Sequence, residues 1–197
     1  MNQPIAWIEA GGGPPVIFLH GVGGSRTAWG PQLRGLSDRF RCIAWDMPGY
    51  GDSELLEPLT FEAIADRLVG LLDTLAIERA DLVGLSFGGM QAMHAALRHP
   101  ERVNRLVLAD TSPRFGANGT TAAEWTAARM EPLDRGEIPA DAAERVIDAI
   151  TSVTLTGQIR DEVVGAYGRI PVDGFRASLR CLPTHDVLDR LDAIAHP

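Results

Sequence analysis

The sequence predicts an α/β fold, a doubly wound and mostly parallel sheet with a helical segment inserted into it. Three observations carry this expectation. Short β-rich runs alternate with helical patterns through the first half of the chain. Each run is nearly continuous in apolar residues, as in strands covered on both faces. From about Pro113 to about Cys181 the strand signal stops and only helical spacing remains.

Taken in order, the opening offers a short run, Ile5-Ala6-Trp7-Ile8-Glu9, before the first buried strand at Pro15 to His20. Arg41 to Asp46 is the second buried strand, Ala80 to Leu85 the third and Val103 to Ala109 the fourth. Between the second and third, Thr60 can cap a helix whose Ile64, Leu68, Leu71, Leu72 and Leu75 form one apolar stripe. Gly89 to Leu97 is rich in helix formers and stops at His99-Pro100, because the residue before proline is pushed out of the helical region. Beyond Pro113, Gly116, Asn118 and Gly119 make a loop. Trp125, Met130, Val146, Ile150, Val163 and Val164 then mark short amphipathic helices separated by Gly136, Pro139, Gly157 and Pro171. Asp186 to Ala195 reads as one helix returning to the sheet. The expected organisation is a core over 1–113, a helical insert over 114–183 and a returning helix over 184–197.

Bulk properties narrow the function classes. A 45% hydrophobic and 22% charged composition is that of an ordinary globular chain. The net charge of −8, without any run of basic residues, argues against a nucleic-acid partner, which needs clustered cations. No apolar stretch approaches the length of a bilayer span, and the N-terminus has neither the basic nor the apolar region of a signal peptide. Two well-separated cysteines, Cys42 and Cys181, read as reduced buried thiols, so a cytoplasmic location is expected. Without secretion, the sequon at Asn118-Gly119-Thr120 is a chance match. There is no metal-ligand cluster and no phosphate loop, and no cofactor is expected.

The chemistry concentrates at two glycine-rich turns. Gly84-Leu85-Ser86-Phe87-Gly88-Gly89 is a Gly-x-Ser-x-Gly sequence with a β run before it and a helix after it. A strand-to-helix turn this sharp holds Ser86 in a strained conformation and lifts its hydroxyl above the sheet edge. Gly84 and Gly88 are required because side chains there would collide with the neighbouring strand or helix. The second turn, His20-Gly21-Val22-Gly23-Gly24-Ser25, follows the first buried strand. Curled by its glycines, it can turn the Val22 N–H toward the elbow, where the N–H of Phe87 completes a two-donor oxyanion hole. A dinucleotide fingerprint fails here, since Arg26 stands where the third glycine belongs and no acidic residue follows at the right distance. His20 and Gly21 read as supports of this loop.

These segments, with Asp46-Met47-Pro48-Gly49-Tyr50-Gly51-Asp52-Ser53, His99-Pro100-Glu101-Arg102-Val103 and Leu106-Val107-Leu108-Ala109-Asp110, resemble the α/β-hydrolase superfamily in order and spacing over about residues 5 to 197. The resemblance implies an α/β-hydrolase fold with the helical insert as its cap. It also implies Ser86 as nucleophile, the amides of Phe87 and Val22 as oxyanion donors, and structural roles for Asp46 and Ser53. A serine at the elbow is unlike the aspartate of haloalkane dehalogenases. Leu108-Ala109-Asp110-Thr111-Ser112 and the compact cap are most similar to the 3-oxoadipate enol-lactonase branch.

The pattern also departs from the family. A serine nucleophile needs a histidine to take its proton and a carboxylate to orient that histidine. The family places the histidine after the last strand and the acid usually after the strand following the cap. Pro197 matches the position just before that strand, so two strands and two helices, on the order of 60 residues, are expected to be missing. Asp110 follows a strand tip near the elbow and is a candidate acid, though an aspartate capping a turn fits as well. His94, His99, His185 and His196 are weak candidates for the base, and Trp125, Met130 and Tyr167 for an apolar substrate pocket. The expected reaction is hydrolysis of a small carboxylic ester or lactone through an acyl-enzyme. The alternatives are an inactive fragment or non-catalytic binding protein, a chain completed by a second polypeptide, or a carbon–carbon hydrolase or perhydrolase.

Overall fold

The computed structural model describes residues 4–116 and 119–197. The expectation placed on Asn118, both as loop residue and as sequon, lies outside the described residues. Five strands form one sheet: β1 (Trp7–Ala10), β2 (Pro15–Leu19), β3 (Arg41–Trp45), β4 (Ala80–Leu85) and β5 (Val103–Ala109), in the spatial order β1-β3-β2-β4-β5. β1 runs antiparallel to β3 and every other pairing is parallel. The register sets Ile17 between Ile43 and Leu82. Alternation then sends Val16, Phe18, Cys42 and Ala44 to one face of the sheet and Ile17, Leu19, Ile43 and Trp45 to the other.

The first of these faces is closed by Trp29 and Leu33, the latter on α1 (Gly30–Leu36), a short helix that sequence reading left unassigned. The opposite face is closed by α2 (Phe61–Thr74) and α3 (Phe87–Arg98). The Thr60 hydroxyl accepts the Ala63 N–H at 3.1 Å, which satisfies a donor left orphaned in the first turn of α2. Ile64, Leu68, Leu71 and Leu72 are buried along its stripe.

After β5 the chain forms α4 (Ala122–Asp134), α5 (Pro139–Ile150), α6 (Gly157–Gly168) and α7 (Val172–Cys181). One seam ties α7 to the loop after β3. A Cβ on Gly174 would sit 2.5 Å from the carbonyl carbon of Gly49, so only glycine permits this approach of α7 to the loop after β3. Beside it, Tyr50 and Ser178 share a buried hydrogen bond of 2.8 Å.

Two expectations need correction. Residues 186–195 do not form one α-helix. Asp186 pairs with Arg114 in an antiparallel bridge, and a six-residue 3-10 helix, Leu188–Ala193, follows. The Asp186 carboxylate accepts the Leu188 N–H at 3.2 Å and pairs with Arg114, so Asp186 opens this turn from its place in the bridge. β5, read as covered on both faces, is instead an edge strand with Val107 54% and Leu108 42% exposed. On its outer edge the Leu106 N–H reaches the Pro197 carbonyl at 3.0 Å.

Candidate active site

The turn between β4 and α3 holds Ser86 at φ 53°, ψ −116°, a region that a residue with a side chain rarely occupies. The surrounding geometry over-determines this conformation. The Ser86 N–H donates to the Ala109 carbonyl at 2.8 Å, and its own carbonyl accepts the Gly89 N–H at 2.9 Å. A Cβ on Gly84 would stand 2.5 Å from the Gly88 carbonyl carbon, and one on Gly88 2.6 Å from the Leu19 carbonyl carbon. The glycines therefore let β4, β2 and the first turn of α3 close around the serine. Ser86 is half-buried, and its hydroxyl has no hydrogen-bond partner among the described residues. It stands at the N-terminus of α3, where free N–H groups favour developing negative charge.

The loop after β2 lies against this turn. A Cβ on Gly21 would be 3.3 Å from the Ser86 Cβ. Val22 is half-buried and packs on the main core, and Phe87 is buried edge-on against Phe61 at 5.5 Å. His20 is 1% exposed. Its Nε2 accepts the Met47 N–H at 3.1 Å, which leaves Nδ1 as the donor to the Gly21 carbonyl at 2.9 Å. Burial lowers the pKa of this imidazole, and the neutral ring ties the loop after β2 to the loop after β3.

Arg26 is the residue that sequence reading missed here. Its backbone N–H donates to the Asp46 carboxylate at 2.7 Å, and its guanidinium pairs with both Asp46 and Asp52. Asp46 is buried, so Arg26 neutralises a charge that would otherwise be costly at the foot of the loop. Two aspartates in one turn, Asp46 and Asp52, were the available signal. Ser53 completes the turn, its hydroxyl donating to the Asp46 carbonyl at 2.6 Å and accepting the Ala6 N–H at 2.9 Å.

Asp110 sits directly after β5 at φ 47°, exposed, one residue from the carbonyl that holds Ser86. The five histidines are all committed elsewhere. His94 on α3 stacks on Phe61 at 4.2 Å and meets His185 at 3.1 Å. His185 Nε2 donates to the Ser112 carbonyl at 2.8 Å, so its Nδ1 accepts from His94 Nε2. His99 pairs with Asp66 at 2.6 Å, and His196 Nε2 donates to the Pro100 carbonyl at 3.1 Å. No histidine among the described residues hydrogen-bonds Ser86.

The pocket candidates separate. Trp125 and Met130 are both half-buried and pack on the main core, Trp125 also meeting Phe115 edge-on at 5.5 Å. Tyr167 closes on the loop itself, its Cδ2 lying 2.7 Å from where a Gly23 Cβ would be. A cavity of about 340 Å³ is lined by Glu62, His94, Leu97, Arg98 and Arg190. Another of about 400 Å³ lies around Arg26, Tyr50, Asp52 and Arg169. Neither includes Ser86. Among the described residues, no group of three or more metal-ligating side chains occurs, and no helix is long and apolar enough to cross a membrane.

The model of the alpha/beta hydrolase fold family matches residues 14–145. The chain is 42% identical over 107 residues to a putative carbamate hydrolase of Caulobacter sp. (strain K31), covering 51% of this chain and 40% of that protein. It is 46% identical over 105 residues to the 2-hydroxymuconate semialdehyde hydrolase of Pseudomonas sp. (strain CF600), covering 51% of this chain and 37% of that protein. Both matches therefore span less than half the length of the relative. A thermophilic esterase from Thermogutta terrifontis superposes with a TM-score of 0.86 at 31% identity, over 98% of this chain and 72% of that one. By its elbow, its sheet order and these matches, the chain belongs to the α/β-hydrolase fold family.

Proposed function

We propose that this chain carries the nucleophile half of a serine hydrolase acting on a small carboxylic ester or lactone. The observation that carries the reading is Ser86, held in its strained turn with an unpartnered hydroxyl at a helix N-terminus. In the reaction, Ser86 Oγ attacks the carbonyl carbon and gives its proton to an imidazole. The N–H groups of Phe87 and Val22 stabilise the oxyanion while the alcohol leaves with that proton, and water then releases the acid from the acyl-enzyme. Asp110 is the candidate acid nearest the elbow. The commitment of all five histidines to other partners supports a base contributed by polypeptide outside this sequence. Cys42 and Cys181, both free and buried, support a cytoplasmic protein.

The same histidine geometry favours a second reading, a hydrolase-like binding protein without turnover. The 46% identity to a 2-hydroxymuconate semialdehyde hydrolase favours a third, carbon–carbon bond hydrolysis on the same elbow. Intact-mass measurement after fluorophosphonate treatment separates the first two. Labelling of the chain that disappears in Ser86→Ala establishes an activated serine. Unlabelled protein at the mass of 197 residues, with labelling restored in a longer polypeptide, assigns the base to that extension. Absence of labelling in both favours the binding protein. Turnover of a vinylogous diketone but not of short acyl esters selects the carbon–carbon reading.

A further inference from the structure

The loop after β2 is held from behind by a line of contacts that leads to α7. The Gly24 N–H donates to the Gly21 carbonyl at 3.0 Å, so residues 21–24 form a tight turn with Val22 and Gly23 at its centre. Gly23 sits at φ 89°, the left-handed value that the third position of such a turn asks of glycine. The Gly21 carbonyl takes a second donor, His20 Nδ1, at 2.9 Å. That carbonyl and the Val22 N–H belong to one planar trans peptide and point in opposite directions. Whatever fixes the Gly21 carbonyl therefore aims the Val22 N–H, beside the elbow on which Gly21 packs.

His20 owes its own place to the loop after β3. Its Nε2 accepts the Met47 N–H at 3.1 Å, and the Met47 carbonyl accepts the Tyr50 N–H at 3.0 Å. The rings of His20 and Tyr50 stand 5.1 Å apart, tilted by 44°. Tyr50 is fully buried, with its hydroxyl against α7. Ser178 gives its one proton to the Phe175 carbonyl at 2.8 Å, so in the 2.8 Å contact between the two hydroxyls Tyr50 donates and Ser178 accepts. Burial pushes the Tyr50 pKa up, opposed by its hydrogen bonds to Ser178 and to the Gly23 backbone, and the phenol stays a neutral donor. A second contact reaches the same turn from α6, where Tyr167 Cδ2 lies 2.7 Å from the position of a Gly23 Cβ. On another flank the turn borders open space, the cavity of about 400 Å³ that Gly24 and Tyr50 line together with Ala166 and Ile170. Support on that side comes from the two tyrosines rather than from packed core.

We propose that Tyr50 is a positioning residue for the oxyanion hole: anchored by Ser178, it steadies the His20 ring, which holds the Gly21 carbonyl and so keeps the Val22 N–H aimed at Ser86. The hole is then complete only while α7 is seated on the loop after β3, which makes that helix a condition of catalysis as well as a part of the packing. This goes beyond the serine-hydrolase reading of Ser86 and rests on it.

Residue-level hydrogen exchange by NMR on the 197-residue chain tests the linkage without requiring turnover. In Tyr50→Phe, which keeps the ring against His20, and in Ser178→Ala, the Gly24 amide is expected to exchange at least tenfold faster and the Val22 amide resonance to shift. Both variants remove the same bond, so the double variant should exchange no faster than either single one. The amides of Ile17 and Ile43 in the sheet should keep their rates. An unchanged Gly24 amide would overturn the proposal, and so would exchange raised equally at Ile17 and Ile43, which marks general loosening. The rate at which a fluorophosphonate labels Ser86 is the second readout. It is expected to fall at least fivefold in either variant, with the reversible affinity that precedes labelling little changed. Equal labelling rates in the wild type and both variants would overturn the proposal and leave Ser86 as the nucleophile. A chain whose Gly24 amide responds as expected but whose Ser86 never labels would sink the hydrolase reading and leave the linkage in place.

Discussion

At the scale of single residues, the buried imidazoles set the expected pH response. His94 is pressed between Phe61 and His185, and burial with the neighbouring imidazole lowers its pKa to about 4. His185, donating to the Ser112 carbonyl, is lowered as well, chiefly by burial. Glu62 and Asp186 oppose these shifts, while Arg190 adds to that of His94. The unfolded chain takes up protons near pH 6.5, whereas the folded chain resists until about pH 4. Stability from neutral packing is thus complete above pH 6.5 and is lost as the pH falls toward 4. Urea unfolding at pH 7 and pH 4.5 is expected to differ by on the order of 1–2 kcal/mol from this pair, discounted for partial exposure. His94→Gln should flatten that dependence, and an unchanged slope would show that other groups control it. None of this was legible in the sequence, because residues 94 and 185 meet only through the fold. Ser86 was legible, since a local pentapeptide between a β run and a helix specifies its turn. Arg26 was not, because it acts through Asp46 and Asp52, outside its own motif.

At the scale of elements, the strands and the two helices behind the sheet were readable because their signals are local: apolar runs, the Thr60 cap and the stop at His99-Pro100. What failed was any property set by neighbours. β5 has the apolar composition of a central strand, and position alone makes it an edge. The segment after Asp186 has helical spacing, yet its Leu188 and Leu191 are 40% and 38% exposed. With little surface to bury those side chains against, it makes only a short 3-10 turn. The close packing of β2, β4 and α3 around the elbow yields a direct expectation. In Gly88→Ala the added methyl would meet the backbone of Leu19 and His20, which cannot swing aside as a side chain would. A loss of roughly 2–4 kcal/mol in chemical denaturation is expected. A loss under about 0.5 kcal/mol would mean that the elbow is looser than its geometry indicates.

For the whole molecule, the architecture and its family followed from five motifs in order, and the expected absence of further strands agrees with a five-stranded sheet ending at β5 among the described residues. Leu85, Val107 and Leu108 leave an apolar strip beside the outer edge of β5, which no further strand covers among the described residues. Open edges of this kind recruit other strands. Sedimentation velocity of the 197-residue chain is accordingly expected to show concentration-dependent association, and Val107→Lys to suppress it while changing stability by no more than about 0.5 kcal/mol. Monomeric behaviour of both proteins across concentration would show that this edge is inert.

The seam at Gly49 and Gly174, with the Tyr50–Ser178 hydrogen bond beside it, has a consequence for how such a protein diversifies. It ties α7 into the core through backbone contact that tolerates no larger residue. The outer helices α4 and α5 bear no comparable demand, and Ile150 at the end of α5 is exposed. Insertions and exchanges in those two helices are therefore inherited at low cost, whereas changes at the seam dislodge the cap as a unit. A lineage built on this frame is free to rewrite its outer helices while the seam stays fixed.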